Sequence, residues 1–366
     1  MKILVVQDFL RSGGTERQSV LLAEGFASAG HATHLVTFRP GGPLQPPAPP
    51  DRLTIHSLQK RDSRLDWWAP GLVRYAKQHQ PDIVLCMGRM ANCYGGALQD
   101  ALPNNAVVST LRTGKPLPWL FKRSLQRTRQ VIANSRAARD AAVADHGVPA
   151  AQIAVIHNAL VFEPTDAAST EPSDLRSDHG ASASTVVMLD VAMFRPEKNH
   201  IALVEILATL VPEFDVQLWL AGDGPALAAC RDRASALGIS DRVRFLGWSS
   251  DPKPFYLAAD IAVHASRRES LSNFLIEAQA HGLPAVAYDA LGVGETFLPG
   301  ETGYLIPRDD AEAFRAKLIT LIENTSMRER MGARARSFAD ENFSTQRQID
   351  AYLERFQTLS NPPASP

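Results

Sequence analysis

A chain of 366 residues is too long for one ordinary core and suits two domains of roughly 150 to 200 residues each. With 45% hydrophobic and 21% charged residues it reads as a globular protein, and a formal net charge of −1 excludes nucleic-acid binding by bulk charge. The three cysteines, Cys86, Cys93 and Cys230, lack metal-ligand spacing and read as reduced thiols of a cytoplasmic protein.

The opening MKILVVQDFL carries a short apolar run that Asp8 interrupts, which fits a first buried strand and not a leader peptide. No stretch approaches the roughly 20 apolar residues of a membrane span. Apolar runs of strand length follow at 34–38, 83–87, 107–110 and 131–133, with helical periodicity at 17–29 and 65–79. RPGGPLQPPAPPDR between them is a surface loop. From 163 to 184 the chain has little to bury and reads as an irregular linker. Strands at 186–192, 216–221, 243–246, 261–264 and 285–287 then alternate with helices at 201–210, 226–237, 272–280 and 311–323. Such alternation favours parallel strands with crossover helices, so the expected class is α/β with two Rossmann-like domains. Their bounds are 1–162 and 185–345, joined by the linker at 163–184. Residues 346–366 form a C-terminal helix and a tail, LSNPPASP, that frays. Ligands of open parallel sheets bind beyond the carboxyl ends of the strands, and the cleft between two such domains is the expected site.

Several segments at those strand ends carry chemistry. Gly13 and Gly14 let backbone approach a ligand at the mouth of a helix, but no G-x-G-x-x-G follows the strand, which argues against a dehydrogenase. Arg195 and Lys198, after the first strand of the second half, are paired cations suited to a diphosphate. Gly222 and Gly224 in LAGDGP read first as a turn. In RRESLSNFLIEAQAHGLPAV, Ser272 or Asn273 is the N-cap of a helix whose free N–H groups suit phosphate. Glu269 lies ahead of that helix and Glu277 one turn inside. Two carboxylates flanking an anion site can each accept hydrogen bonds from hydroxyls, as a nucleoside diphosphate sugar would offer.

Those two glutamates form an E-x7-E spacing. With GGTER, ANS, PEKNH, AGDGP, GLPAV and GETGYLIP in order, the chain resembles retaining glycosyltransferases of the GT-B fold, family 4 (group 1), over nearly its whole length. The resemblance implies transfer of a sugar from a nucleoside diphosphate sugar with retained anomeric configuration. It assigns Glu269 to the sugar hydroxyls and Glu277 to the ribose. Ser270, Leu271, Ser272 and Asn273 then line the distal phosphate, and Lys198 with Arg195 faces the leaving diphosphate. Gly13 and Gly14 pass close to that diphosphate, Gly222 and Gly224 lie at the rim, and Leu246 and Gly247 face the base. Two departures stand out. Met193 occupies the place of a family arginine, and Arg112 stands roughly where many members have a histidine near the sugar.

No D-x-D triplet occurs, so fixed cations and helix ends are expected to stabilise the leaving group without a metal or other cofactor. By family frequency the resemblance implies UDP over GDP. The acceptor implied is a cell-envelope glycan or lipid-linked molecule. Residues 112–129 carry Arg112, Lys115, Lys122, Arg123, Arg127 and Arg129 around Trp119, Leu120 and Phe121. Lys60, Arg61 and Arg64 precede Trp67 and Trp68. Basic residues beside aromatics suit the anionic inner face of the cytoplasmic membrane, and a solvated helix with core aromatics explains the same pattern. A sugar-nucleotide epimerase, a glycosyl phosphorylase or a non-catalytic nucleotide-sugar binding protein would share the architecture.

Overall fold

A computed structural model describes residues 1–162 and 172–360. The chain forms two compact units, Met1–Val161 together with the chain from Thr345 on, and Phe162–Ser344. Among the described residues each unit holds one parallel sheet.

The first sheet contains β1 (Lys2–Gln7), β2 (Ala32–Thr37), β3 (Leu53–Ser57), β4 (Ile83–Cys86), β5 (Ala106–Leu111), β6 (Gln130–Ala133) and β7 (Ile153–Val155), in the order β3-β2-β1-β4-β5-β6-β7. Its central strands, such as β1 and β4, are near-continuous apolar runs because both faces are covered. Ile3 and Val5 point to one face, against Leu22 and Phe26 of helix Gly14–Ser28. Leu4 and Val6 point to the other, against Leu72 and Ala76 of helix Leu72–His79. The C-terminal helix Thr345–Ser360 completes the first face. Its Tyr352 and Phe356 lie with ring centroids 6.1 and 5.5 Å from that of Phe26. Its Gln348 donates from Nε2 to Gln18 Oε1 and to the His157 carbonyl. The last strands of the chain's second half therefore do not end the structure: the chain returns to the first unit.

The second sheet contains β8 (Val186–Val191), β9 (Val216–Ala221), β10 (Val243–Gly247), β11 (Ile261–His264), β12 (Ala285–Tyr288) and β13 (Gly303–Ile306), in the order β10-β9-β8-β11-β12-β13. Met188 and Val187 alternate between the cores on its two faces.

Two expectations need correction. The helix read over 65–79 begins only at Leu72, because Pro70 precedes Gly71, which takes a left-handed φ of 74° and starts the helix. Residues 59–68 are instead a loop. Gln59 Nε2 donates to the carbonyls of Leu65 and Trp68, and the buried Arg39 donates to Asp62 and Asp66. The irregular linker over 163–184 is also interrupted: Pro172–Asp178 is helical, and Arg176 ties it to Ala258 O and Asp260 of the second unit. The rest of that stretch from 163 to 171 lies outside the described residues, as do 361–366 of the expected frayed tail.

Candidate functional site

Within the second unit, the loops leaving β8 and β11 meet. After β8 the backbone crosses Met193-Phe194-Arg195, makes a 3-10 turn at Pro196–Lys198 and enters helix His200–Leu210 through Asn199, whose φ is 56°. This loop is seated on the turn after β9. Phe194 N–H donates to Asp223 O at 2.9 Å, and Ala226 N–H donates to Phe194 O at 2.9 Å. So close an approach demands glycine. A Cβ on Gly224, at φ 149°, would lie 2.5 Å from Phe194 O, and one on Gly222, at φ 144°, would strike Ala192 O. The glycines of LAGDGP thus hold the loop that carries Lys198. Gly222→Ala is expected to lower stability by about 1–3 kcal/mol, read as a fall in the unfolding midpoint; an unchanged midpoint would refute this role.

The loop after β11 is stitched to the same turn. Arg267 N–H donates to Glu197 O at 2.8 Å, and Ser266 Oγ donates to Glu197 O at 3.2 Å. The result brings Lys198 Nζ into a hydrogen-bonded ion pair with Glu269 Oε1. His264, the last residue of β11, lies behind them, with Nε2 3.0 Å from Glu269 Oε1 and Nδ1 3.0 Å from Asp190 Oδ1. The second Asp190 oxygen is 3.2 Å from His200 Nε2, within ion-pair distance though not aligned as a hydrogen bond. The His200 ring stacks on Phe194 at 4.2 Å. Asp190 and His264 are fully buried, and Glu269 is 9% exposed.

The protonation pattern follows from these contacts. Burial raises the Asp190 carboxyl pKa, but His200 and His264 facing its two oxygens outweigh this and hold it well below the carboxylate range. Burial likewise works against ionised Glu269, yet Lys198 and His264 bring its pKa down to about 2. For His264 burial favours the neutral ring, and the two carboxylates overcome that and raise its pKa.

Helix Asn273–Ala280 begins at the expected cap: Ser272 Oγ accepts from Leu275 N–H at 3.4 Å. One turn inside, buried Glu277 accepts a 2.6 Å hydrogen bond at Oε2 from Tyr256 Oη, and the Tyr256 ring stacks on His281 at 4.8 Å. Ser270, Leu271 and Ser272 are buried at the mouth of this helix, with Asn273 as its first residue. Gly247, at φ 75°, ends β10 beside half-buried Leu246 and accepts from Gly222 N–H at 2.7 Å.

Three further expected residues have other partners within their own units. Arg195 Nη2 lies 3.3 Å from Met193 Sδ. Arg112 belongs to the first unit, where Nη1 donates to Asn158 Oδ1 at 2.5 Å and Nη2 to Tyr352 Oη at 2.7 Å. Gly13 caps helix Gly14–Ser28 with an ordinary φ of −81°, and the Glu16 carboxylate fills the space a Cβ would take. Sequence reasoning passed over Asp190, His264 and Tyr256. The signal was present for two of them: an aspartate inside VVMLDV and a histidine ending IAVH are polar residues in strands buried on both faces, where each needs a partner.

Two family models match consecutive parts of the chain: Glycosyltransferase Family 4 over residues 12–162, and Glycosyl transferases group 1 over residues 173–338. A lipopolysaccharide core biosynthesis glycosyltransferase, LpsE of Rhizobium meliloti, is 34% identical over 47% of this chain and 50% of its own. An N-acetyl-alpha-D-glucosaminyl L-malate synthase of Bacillus anthracis is 30% identical over 49% and 47%. The matched stretch thus spans about half the length of these curated relatives. Anabaena HepE, solved in complex with UDP and glucose, has the same fold at a TM-score of 0.81, with 22% identity over 98% of this chain and 100% of that one. With two parallel α/β units matched in order by these models, the chain belongs to the group 1 glycosyl transferases of GT-B fold.

Proposed function

We propose that this chain transfers a sugar from a nucleoside diphosphate sugar to a cell-envelope glycan or lipid-linked acceptor, with retention of configuration and without a metal. The observation that carries the reading is the Lys198–Glu269 pair beside the mouth of helix Asn273–Ala280. One ammonium, one helix N-terminus and two buried carboxylates are the groups that a sugar pyrophosphate needs. Lys198 and the helix amides from Leu271 to Asn273 take the diphosphate, Glu269 the sugar hydroxyls and Glu277 the ribose. Ser270, Gly222 and Gly224 shape the rim, and Leu246 and Gly247 flank the base. Arg195 joins Lys198 only by leaving Met193, and Arg112 acts by fixing its loop. Among the described residues no carboxylate is clearly placed as a nucleophile, and attack on the same face, assisted by the leaving phosphate, is favoured. UDP is favoured over GDP, in keeping with the UDP held by the HepE structure.

A panel of nucleoside diphosphates and their sugars, read as thermal shifts, tests the reading, because bound donor raises the unfolding midpoint by mass action. No shift with any member would sink it. Turnover is expected to survive EDTA unchanged, since no D-x-D triplet is present to hold a divalent ion on the diphosphate. Loss of activity restored by manganese would refute metal independence.

The acceptor side is proposed to rest on an anionic membrane on the cytoplasmic side. Among the described residues no helix is long and apolar enough to cross a membrane. Helix Trp119–Arg127 buries Phe121 and Leu125 but leaves Trp119 67% and Leu120 51% exposed. Arg123 lies over the Trp119 ring, beside exposed Lys122. The basic stretch is narrower than its sequence suggests: Arg127 is paired with Asp100, and Arg129 donates to Pro103 O. Trp67 and Trp68 are also exposed, on the loop that Arg39 anchors. Co-flotation with vesicles containing anionic lipid is expected at low salt and is expected to fall when Trp119 and Leu120 are replaced by serine. Absence of co-flotation at low salt would refute membrane binding.

A further inference from the structure

Lys198 donates to Glu269 in the free protein, yet the proposed function asks the same ammonium to meet the donor diphosphate. A buried carboxylate that loses its cation tends to take up a proton, and a protonated acid is a poorer acceptor for sugar hydroxyls. The structure contains a second donor to the same oxygen. His264 Nε2 lies 3.0 Å from Glu269 Oε1, the atom that Lys198 contacts. The other ring nitrogen lies 3.0 Å from Asp190 Oδ1. Ionised carboxylates only accept, so a ring between two of them must donate from both nitrogens. That is an imidazolium, buried and fixed at both ends.

We propose that His264 is a positioning residue for Glu269: anchored by Asp190, it keeps this acid ionised and aimed while Lys198 moves to the donor. The groups around it are Asp190 from β8, Glu269 from the loop after β11, Lys198 from the 3-10 turn and, across Asp190, His200 from helix His200–Leu210. The Phe274 ring, with its centroid 5.7 Å from that of His264, closes one side and adds no charge. The direction of the His264 shift, upward, agrees with the geometry. The proposal rests on the reading of Glu269 and Lys198 given above.

Nitrogen-15 NMR of histidine-labelled full chain tests it without a donor. Both His264 ring nitrogens are expected to carry protons at pH 7.5 in the unmodified protein and in K198A, which removes the ammonium as donor binding would. A neutral ring in either overturns the proposal. UDP and UDP-glucose serve as probes for H264Q, which keeps an amide NH2 whose two N–H bonds leave one nitrogen and so cannot span Asp190 and Glu269 as the two ring nitrogens do. It is expected to bind UDP-glucose about tenfold more weakly, the loss of one charge-assisted hydrogen bond, with UDP affinity within about twofold. Its kcat/KM is expected to fall at a higher pH than in the unmodified protein as Glu269 protonates. Unchanged UDP-glucose affinity with an unchanged pH profile overturns the proposal, and if H264Q does not fold the NMR of the unmodified and K198A chains decides. Should E269Q bind and turn over UDP-glucose normally while His264 of the unmodified chain is doubly protonated, the assignment of Glu269 to the donor sugar fails although the contacts of His264 with Asp190 and Glu269 stand.

Discussion

Lys198→Ala is expected to lower kcat by about two to three orders of magnitude, the scale of losing one preorganised group that meets developing charge. The argument rests on how firmly this ammonium is set. Its turn is held by the Arg267 and Ser266 bonds to Glu197 O, and the whole loop is seated on Gly222 and Gly224. Nothing in that scaffold depends on the Lys198 side chain, so the variant should fold. Its acid unfolding should nevertheless change. Glu269 has a pKa depressed to about 2, so it contributes stability that is present above the ordinary carboxylate range and is lost as pH falls through the folded value. Removing Lys198 raises that folded value and moves acid unfolding to higher pH. Steady-state kinetics with the donor found by thermal shift, alongside a pH series of unfolding midpoints, measures both. A variant that keeps its kcat would remove Lys198 from the mechanism.

Asp190→Ala is expected to cost about 3–5 kcal/mol, because removing one partner of a buried charged cluster leaves the others uncompensated. Asp190 is completely buried, and its two oxygens face His264 and His200. The pH dependence should change on both limbs. A depressed carboxyl pKa gives stability above the ordinary carboxylate range that is lost in acid. A raised histidine pKa, as at His264, gives stability that is full below roughly pH 6.5 and is lost as pH rises through the folded value. In the alanine variant both contributions shrink, so its stability should be lower and flatter with pH. Urea unfolding across a pH series reads this directly; an unchanged free energy at pH 7 would refute the role of Asp190.

The central strands were legible because they are buried on both faces and so appear as unbroken apolar runs, as in Val216–Ala221. The strands that sequence reasoning missed, β3, β7 and β13, all lie at the ends of their sheets. An end strand is covered less, and Leu53–Ser57, with half-buried Ile55 between exposed Thr54 and His56, carries too weak a pattern to separate from a loop. Candidate residues on loops and caps, such as Ser272 and Glu269, suggest themselves from local chemistry. Arg112 could not, because its partners Asn158 and Tyr352 are 46 and 240 residues away. The pairing of His264 with Asp190, 74 residues earlier, is hidden in the same way, although each stands out as a polar residue in an apolar strand. Contacts between distant segments leave no local trace except a polar side chain in an apolar strand.

The last helix, with Ile349, Tyr352 and Phe356 sunk into the first unit, gives the molecule the topology of a clasp. Cleaving the backbone between Val161 and Pro172 would produce two pieces, and the second would still carry the helix that plugs the core of the first. The halves should therefore stay associated after such a nick, and two separately expressed fragments divided there should be able to reconstitute the protein.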